Sequence, residues 1–415
     1  MNIKRKIKNV LRPIIRFFII KIKYRKIKYR KINGLKSKFF SDLKKIIFSK
    51  QYDAVIIFDN YFGFNMKMFQ RPQHMAINLS NENILYFYKA SSCIDNDVKV
   101  YKEIKHNLYL INTDIYWVQE GLLDMVKESR IEAFVQIYCT AFMEYDKYVK
   151  KFLDRGFKII YEFIDELSDD IAGFKLTDDI KDSHMRMLED SKNIYVITTA
   201  DKLYNEAKQR RGQKRLALIE NGVELGHFSN VNLNYIPEQI KNVVNSNKKI
   251  IGYFGALAKW FDYELITKIS NKFKDINILL IGVDYDKSII NSGILNLPNV
   301  YYIGTVEYNN LPHYSKFFNI SIIPFVINNI TKSTSPVKLF EYMDLGKPIV
   351  TTNLPECRKY KSPLISENHD EFMTNIKRAI LLEDNYEYIS LIENEKNNNT
   401  WKQRAISMKN FILNS

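Results

Sequence analysis

The sequence predicts an α/β protein built from two parallel-sheet domains in tandem. Runs of β-branched and aromatic residues alternate with helical stretches from residue 52 onward, and this pattern starts a second time at residue 249. Continuous apolar strands separated by helices are typical of parallel sheets that are covered on both faces. A length of 415 residues is also too great for one ordinary domain, so two domains are expected.

Ten strands are expected, five in each domain. They fall at 52–58, 84–88, 133–138, 158–162 and 194–198, then at 249–255, 276–282, 299–304, 320–325 and 348–350. The Asn-rich segment 227–248 is the expected linker. We therefore divide the chain into a basic segment (1–50), a first domain (51–230), a second domain (231–399) and a C-terminal segment (400–415). Two such domains enclose a ligand cleft between the carboxyl ends of their strands.

The positive charge lies almost entirely in the first fifty residues. They hold 18 Lys and Arg and one acidic residue, Asp42, a net charge of +17, whereas the whole chain carries +15. Residues 51–415 are therefore nearly neutral, at −2. This distribution argues against a nucleic-acid-binding surface spread over the domains.

Residues 1–32 are basic and amphipathic. Apolar residues recur at helical spacing between Lys and Arg, and Lys-Ile-Lys-Tyr-Arg occurs twice in tandem from Lys21. The longest uncharged run, 17–20, is far too short to span a bilayer, and no secretory cleavage site follows. We expect this segment to bind an anionic membrane surface. A solvated tail or an RNA-binding arm is the alternative.

Common cofactor and metal motifs are missing from the sequence. Neither domain contains Gly-x-Gly-x-x-Gly or the phosphate loop Gly-x4-Gly-Lys-[Ser/Thr]. The three cysteines, Cys93, Cys139 and Cys357, are far apart, and the six histidines show no metal-ligand spacing. We therefore expect no dinucleotide cofactor, no metal and no disulfide framework.

The stretch 335–350 is the strongest candidate site. Pro336 suits the first turn of a helix, Gly346 ends that helix, and a strand follows. Lys338 and Glu341 are three residues apart and share one helix face. A helix N-terminus with a nearby lysine suits a diphosphate, and the glutamate can accept hydrogen bonds from a ribose. The alternative is an ordinary helix with a solvated ion pair.

Five segments occur in an order that resembles a known family. They are 69–74 (Phe-Gln-Arg-Pro-Gln-His), 220–223 (Glu-Asn-Gly-Val), 252–262, 335–350 and 400–405 (Thr-Trp-Lys-Gln-Arg-Ala). Residues 52–410 thereby resemble GT-B glycosyltransferases of the group 1 or family 4 type. The Pro-x-Lys-x-x-Glu form at 336–341 is similar to a subset that includes capsule, teichuronic-acid and xanthan-type transferases. The resemblance implies two Rossmann-like domains facing each other across a cleft, with a final helix crossing back to the first domain.

The resemblance also implies which residues of the second domain bind the donor. These are Gly255, Lys259, Gly282, Ser335, Pro336, Val337, Lys338, Leu339 and Glu341. Two positions depart from the family pattern: Ser333 replaces the first carboxylate of Glu-x7-Glu, and Ala256 replaces the Arg that follows the glycine. In the subset with Pro-x-Lys-x-x-Glu, Lys338 would neutralise the diphosphate, so no metal is implied.

Candidate residues of the first domain follow its strands. Arg71, with Gln73 beside it, could contact a phosphate or an acceptor, and His74 an acceptor hydroxyl or sugar. The alternative for this helix start is a cap and a satisfied histidine. Asp165 follows the strand at 158–162 and could take the proton from an acceptor hydroxyl, or it could cap the next helix.

Together these features predict a cytoplasmic glycosyltransferase on the inner face of the cell membrane. It would move a sugar, typically a hexose, from a uridine diphosphate donor to a surface glycan or lipid-linked acceptor. The family favours retention; inversion would need Asp165 or His74 as base. Two alternatives stay open: an inactive GT-B subunit that binds glycan or a partner transferase, and a sugar-nucleotide epimerase of related fold.

Overall fold

The computed structural model describes residues 34–229, 231–232 and 234–415. The predicted membrane-binding segment 1–32 lies outside these residues. The described chain forms two α/β domains, each built on its own sheet, so the predicted fold class is confirmed.

The first domain has an eight-stranded sheet in the order β3-β4-β2-β1-β5-β6-β7-β8. Neighbours are parallel except β3 and β4, so the expectation of a wholly parallel sheet is wrong at this edge. The sequence pattern missed β3, β4 and β8, because β3 is a partly exposed edge strand with alternating charges and β8 has three residues. The strands are β1 (Ala54–Phe58), β2 (Ile84–Lys89), β3 (Tyr101–Lys105), β4 (Leu108–Ile111), β5 (Ala133–Tyr138), β6 (Lys158–Phe163), β7 (Ile194–Thr198) and β8 (Leu216–Leu218).

In the described part of the first domain, seven α-helices accompany this sheet. The first lies inside the basic segment 1–50, yet it buries Phe39, Leu43 and Ile47 in the core of the first domain. That part of the segment therefore contributes to the domain. The helices are α1 (Lys36–Phe48), α2 (Arg71–Asn81), α3 (Tyr116–Ser129), α4 (Lys150–Leu153), α5 (Asp169–Ala172), α6 (Asp178–Glu189) and α7 (Asp201–Arg211).

The second domain has a six-stranded parallel sheet in the order β11-β10-β9-β12-β13-β14. Its strands are β9 (Lys249–Phe254), β10 (Ile276–Ile281), β11 (Val300–Tyr302), β12 (Ile320–Ile323), β13 (Ile349–Thr352) and β14 (Leu364–Ser366), the last missed by the sequence pattern. Its helices are α8 (Lys241–Asn245), α9 (Tyr263–Lys272), α10 (Ser288–Asn291), α11 (Leu311–Ser315), α12 (Asn329–Lys332), α13 (Val337–Leu345), α14 (His369–Leu382) and α15 (Tyr386–Asn397). The expected linker 227–248 contains α8 and buries Phe228, Ile240 and Val243 in this core.

The last helix, α16 (Trp401–Asn414), packs on the first domain. Thr400 caps it by accepting a hydrogen bond from the Gln403 N–H at 3.2 Å. Trp401 and Met408 are buried in the first-domain core, against α2. Among the helices of the described residues, none is both long and apolar enough to cross a membrane.

Candidate active site

A cleft of about 720 Å³ lies between the two domains. Its walls follow the carboxyl ends of β1, β5 and β6 on one side and of β9, β10 and β12 on the other. Ligands bind at such strand ends in parallel-sheet domains. The predicted residues that line it are Arg71, Asp165, Gly255, Gly282, Ser335, Pro336, Val337, Lys338 and Glu341, whereas Gln73, His74, Lys259 and Leu339 lie outside.

Helix α13 places the Pro-x-Lys-x-x-Glu residues on the second-domain wall. The helix begins at Val337, and Pro336 takes the N-cap position with φ −72° and ψ 114°. The prediction that Pro336 lies in the first helical turn is therefore wrong by one residue, because its ψ is extended. Gly346 ends the helix with φ 70°, as expected for a C-terminal glycine. The first N–H groups of α13 and the positive end of its dipole lie at the cleft.

The Lys338 ammonium lies over two aromatic rings. Its Nζ is 5.5 Å from the centre of the Tyr253 ring and 4.9 Å from that of the Phe325 ring. Burial lowers the pKa of Lys338 to about 8, and the nearby Glu341 carboxylate opposes this shift. No salt bridge joins Lys338 to a carboxylate of the described residues. The cation is therefore positioned by ring contacts and remains available to an anionic ligand.

Glu341 lies one turn after Lys338 on the same wall and is only 7% exposed. Burial raises its pKa to about 7, and the Lys338 cation acts against this shift. Within the described chain, no group donates a hydrogen bond to its carboxylate. A buried polar group without a partner is costly, so this carboxylate is suited to accept hydrogen bonds from ligand hydroxyls.

Two glycines leave the main chain uncovered beside Lys338. Gly255 and Gly282 have φ of 138° and 151°, values that side-chain-bearing residues rarely adopt. A Cβ on Gly255 would lie 2.7 Å from Cε of Lys338. Because Gly255 carries no side chain, a diphosphate can approach the backbone beside Lys338, whereas the Cβ position of Gly282 is filled by the Gly255 carbonyl.

Three other predicted donor residues have different surroundings. Leu339 is fully buried in the core of the second domain, because it lies on the face of α13 that packs on the sheet. Lys259 is exposed, and its main-chain N–H donates to Asp286 Oδ2 at 3.0 Å. Ser335 is at the cleft, and its carbonyl accepts a hydrogen bond from Asn221 Nδ2 at 2.7 Å.

Arg71 is fixed on the first-domain wall by a buried carboxylate. Its Nε donates to Glu162 Oε2 at 2.6 Å, and its Nη1 donates to the Glu220 carbonyl at 3.1 Å and to Asn221 Oδ1 at 3.3 Å. Nη2 has no hydrogen-bond partner among the described residues, although Arg71 is only 3% exposed. A fixed guanidinium with one unused donor suits an anionic ligand or a hydroxyl.

Gln73 and His74 lie behind the cleft wall. Gln73 caps α2: its Oε1 accepts from the Gln70 N–H at 3.1 Å, and its Nε2 donates to the Gly63 carbonyl at 3.2 Å. The His74 ring stacks on Trp401 with 4.9 Å between centres, and burial lowers its pKa to about 3. His74 is therefore neutral and covered by α16.

Asp165 lies on the first-domain wall, two residues after β6. Burial raises the pKa of its carboxyl to about 7. No group in the described chain hydrogen-bonds that carboxylate, and Ser168 caps the following helix, α5, instead. The helix-cap alternative for Asp165 is therefore excluded. A carboxyl with a pKa near neutrality is suited to accept or donate a proton.

Ser333, which replaces the first carboxylate of the family pattern, joins the two domains. Its hydroxyl donates to Glu166 Oε2 at 2.6 Å, and Lys202 Nζ lies 2.7 Å from the same oxygen. A carboxylate of the first domain thus approaches the position that has lost its glutamate. This contact is invisible in the sequence, because the two residues are 167 positions apart.

Several cleft residues were not singled out from the sequence. Some follow strands whose carboxyl ends were already expected to form the cleft, so position after a strand was a usable signal. The aromatic ones resemble core residues in sequence, and only the structure shows Tyr285 to be 57% exposed. These residues include Asn60, Tyr61, Tyr138, Thr140, Tyr285, Thr305 and Tyr308.

The sequence of the second domain matches a known protein family. The family described as "Glycosyl transferases group 1" matches residues 248–381, which include β9, β10, α13 and both cleft glycines. TuaH of Bacillus subtilis, whose name assigns it to teichuronic acid biosynthesis as a glycosyltransferase, is 28% identical over 192 residues. That alignment covers 45% of this chain and 47% of TuaH, so the chain matches about half the length of this relative.

Solved structures share the fold of both domains. Sucrose-phosphate synthase from Thermosynechococcus elongatus is similar with a TM-score of 0.61 at 13% identity, over 87% of this chain and 98% of that one. HepE from Anabaena, solved with UDP and glucose, is similar with a TM-score of 0.55 at 14% identity, over 87% and 98% of the two chains. Both domains therefore have the GT-B fold, and the second domain matches the group 1 glycosyltransferase family over residues 248–381.

Proposed function

We propose that the protein transfers a sugar from a uridine diphosphate sugar to a surface glycan or lipid-linked acceptor. The observation that carries this proposal is the grouping of the N-terminus of α13, Lys338 and the two glycines, Gly255 and Gly282, on one wall of the cleft. The UDP-bound HepE structure supports the choice of nucleotide. The name of TuaH supports an acceptor of the cell envelope.

The leaving group is stabilised by the second domain in this proposal. As the bond between the sugar C1 and the diphosphate oxygen breaks, negative charge grows on the departing nucleotide. Lys338 and the first N–H groups of α13 offset that charge, and Glu341 accepts hydrogen bonds from the ribose. We propose that this cation substitutes for a metal ion, so activity should survive chelation with EDTA.

The proton of the acceptor hydroxyl has two possible destinations. In an inverting reaction the new C1–O bond forms opposite the leaving group, and Asp165 takes the proton. In a retaining reaction the departing phosphate receives it on the same face. We favour transfer of a hexose with retention of its anomeric configuration. Arg71 Nη2 would then bind an acceptor group or a phosphate and would not take the proton.

Residues 1–32 would hold the cleft at the inner face of the cell membrane. Their cations and aromatic residues are of the type that binds anionic lipid surfaces, each cation contributing about 1 kcal/mol near the lipid. A lipid-linked acceptor would then meet the enzyme in the plane of the membrane.

A screen of nucleotide sugars tests the proposal. A bound donor should raise the thermal unfolding temperature, because ligands that bind only the folded state stabilise it. The selected donor should then yield free UDP and a glycosylated acceptor. An inactive subunit would release no UDP, and an epimerase would return an isomeric sugar nucleotide instead, so either result would overturn the assignment.

A further inference from the structure

We propose that Asn221 is a positioning residue that couples the first-domain wall of the cleft to the start of donor helix α13. This inference rests on the proposed function, because it states how the donor site is held. The Asn221 amide makes two hydrogen bonds in different directions. Its Oδ1 accepts from Arg71 Nη1 at 3.3 Å, and its Nδ2 donates to the Ser335 carbonyl at 2.7 Å.

We call the hydrogen-bonded series Arg71–Asn221–Ser335 the relay. Its Arg71 end is anchored in the sheet of the first domain. Glu162, on β6, is fully buried and accepts from Arg71 Nε at 2.6 Å. Its other oxygen accepts from Gln136 Nε2 on β5, and Gln136 Oε1 accepts from the Tyr86 hydroxyl on β2 at 2.6 Å. Side chains from three strands therefore hold the guanidinium in one orientation.

The Ser335 end lies at the donor element. Ser335 directly precedes Pro336, the N-cap of α13, and is three residues before Lys338. The position of the Ser335 carbonyl therefore affects where the helix begins. Since Lys338 and the first helical N–H groups are the proposed diphosphate ligands, a shift of this carbonyl changes their geometry.

The backbone of Asn221 cannot shift freely to follow either end. The Asn221 carbonyl accepts a hydrogen bond from Arg404 Nε at 3.0 Å. Two residues later, the Val223 N–H donates to the Asn399 carbonyl at 3.0 Å. Between them, a Cβ on Gly222 would lie 2.9 Å from the main chain of Thr400. The side-chain amide of Asn221 is thus the group that links Arg71 to the Ser335 carbonyl.

This arrangement links occupancy of the two sides of the cleft. Arg71 lines the wall where an acceptor is expected, and its buried Nη2 lacks a partner among the described residues. A ligand that bonds to Nη2 shares the guanidinium with Asn221 and changes the strength of the bond from Nη1 to Asn221 Oδ1. Acceptor binding then changes nucleotide affinity, and by thermodynamic reciprocity the nucleotide changes acceptor affinity by the same factor.

The first arm of the test measures UDP affinity by calorimetry in Asn221→Asp. This isosteric change keeps an acceptor for Arg71 but replaces the donor to Ser335 with an oxygen. UDP affinity should fall about 2- to 30-fold, the range measured along coupled networks. Asn375→Asp is the matched control: Asn375 is also 8% exposed and donates to a main-chain carbonyl, that of Ile365 at 2.9 Å, but it does not line the cleft. Equal losses in both variants would indicate a merely structural effect.

The second arm is a double-mutant cycle of Arg71→Met and Asn221→Ala, again with UDP as the probe. If the relay operates, Arg71→Met weakens UDP binding in the parent but has little further effect once Asn221 is alanine. Additive losses of UDP affinity would mean that Arg71 acts on the nucleotide directly, and this would overturn the proposed coupling. Unchanged UDP affinity in both single variants would also overturn it. Failure of the parent itself to bind UDP would instead refute the proposed function. The double-mutant cycle does not use Asn221→Asp, so it still tests the relay if that variant does not fold.

Discussion

The main chains of Gly255 and Gly282 meet so closely that a Cβ on Gly282 would lie 1.7 Å from the Gly255 carbonyl oxygen. Real Cβ atoms do not approach a backbone oxygen to this distance, and Gly282 also has φ 151°. The contact brings the ends of β9 and β10 together beside Lys338. It therefore sets the shape of the proposed diphosphate site.

Gly282→Ala should both destabilise the protein and abolish UDP binding, because the added methyl group clashes with backbone that cannot give way. Gly293→Ala is the control, since Gly293 has φ 79° but nothing lies within 4 Å of its added Cβ. In the control, the free energy of unfolding should fall by only about 1–2 kcal/mol, the cost of placing alanine in a left-handed backbone conformation. Thermal unfolding and calorimetry with UDP measure the two effects. Equal destabilisation in both variants would contradict the steric account.

Lys338→Ala should slow transfer by about 10²-fold or more, the scale of removing one preorganised electrostatic contact. It should also weaken donor binding. Lys332→Ala provides a control, because Lys332 is exposed and does not line the cleft. Steady-state kinetics with the selected donor decides, and near-normal turnover in Lys338→Ala would show that the diphosphate binds elsewhere.

UDP affinity of the parent protein should decline as the pH rises through about 8. Burial lowers the Lys338 pKa to about 8, so the charged form that attracts the diphosphate predominates below that pH and is lost above it. Bound UDP should move the decline to higher pH, since an anion favours the ammonium. Calorimetry from pH 6.5 to 9.5 in the parent and in Lys338→Ala makes the measurement. The same decline in both proteins would assign it to another group.

Asp165→Asn distinguishes the two stereochemical courses. If the enzyme inverts, the variant should lose about 10²–10⁴-fold in rate, the usual contribution of a general base, and if it retains, the loss should be much smaller. Because burial raises the Asp165 pKa to about 7, an inverting parent should gain activity as the pH rises through 7. Asp170→Asn, an exposed neighbour, is the control. Proton NMR of the product reads the anomeric configuration, and an inverted product with full activity in Asp165→Asn would require another base.

Asp165 also makes a prediction about stability. Its folded pKa is raised above the ordinary value of 3.8, so between about pH 4 and pH 7 the folded state holds a proton that the unfolded state releases. The free energy of unfolding should therefore fall as the pH rises through this window. Asp165→Asn should lack this component of the decline. Denaturant titrations at pH 4.5 and 7.5 compare the two proteins, and parallel declines would contradict the raised pKa.

Deletion of residues 1–32 should leave a folded enzyme that is active on soluble acceptors but no longer binds anionic vesicles. The intact protein should detach from such vesicles as salt rises, because charges are screened beyond about 8 Å at physiological ionic strength. Co-sedimentation with phosphatidylserine-containing and with neutral phosphatidylcholine vesicles tests this. Equal binding to both would rule out the electrostatic account.

Local patterns in the sequence determined most of the fold and one wall of the site. Strand and helix periodicity predicted ten of the strands, and the spacing of Lys338 and Glu341 placed both on the cleft face of one helix. The same periodicity could not place Leu339, which lies on the opposite face, or the edge strand β3, whose charged residues hide its pattern. Such features depend on what packs against an element.

The tertiary structure alone decided the contacts between distant parts of the chain. Trp401 covers His74 from the last helix, Glu166 reaches Ser333 across the domains, and Asn221 bridges Arg71 to Ser335. Burial by these partners sets which groups are charged and which donors are left for a ligand. Secondary structure follows from neighbours in sequence, whereas desolvation and hydrogen-bond pairing at a cleft follow from neighbours in space, and those are fixed only when both domains have folded together.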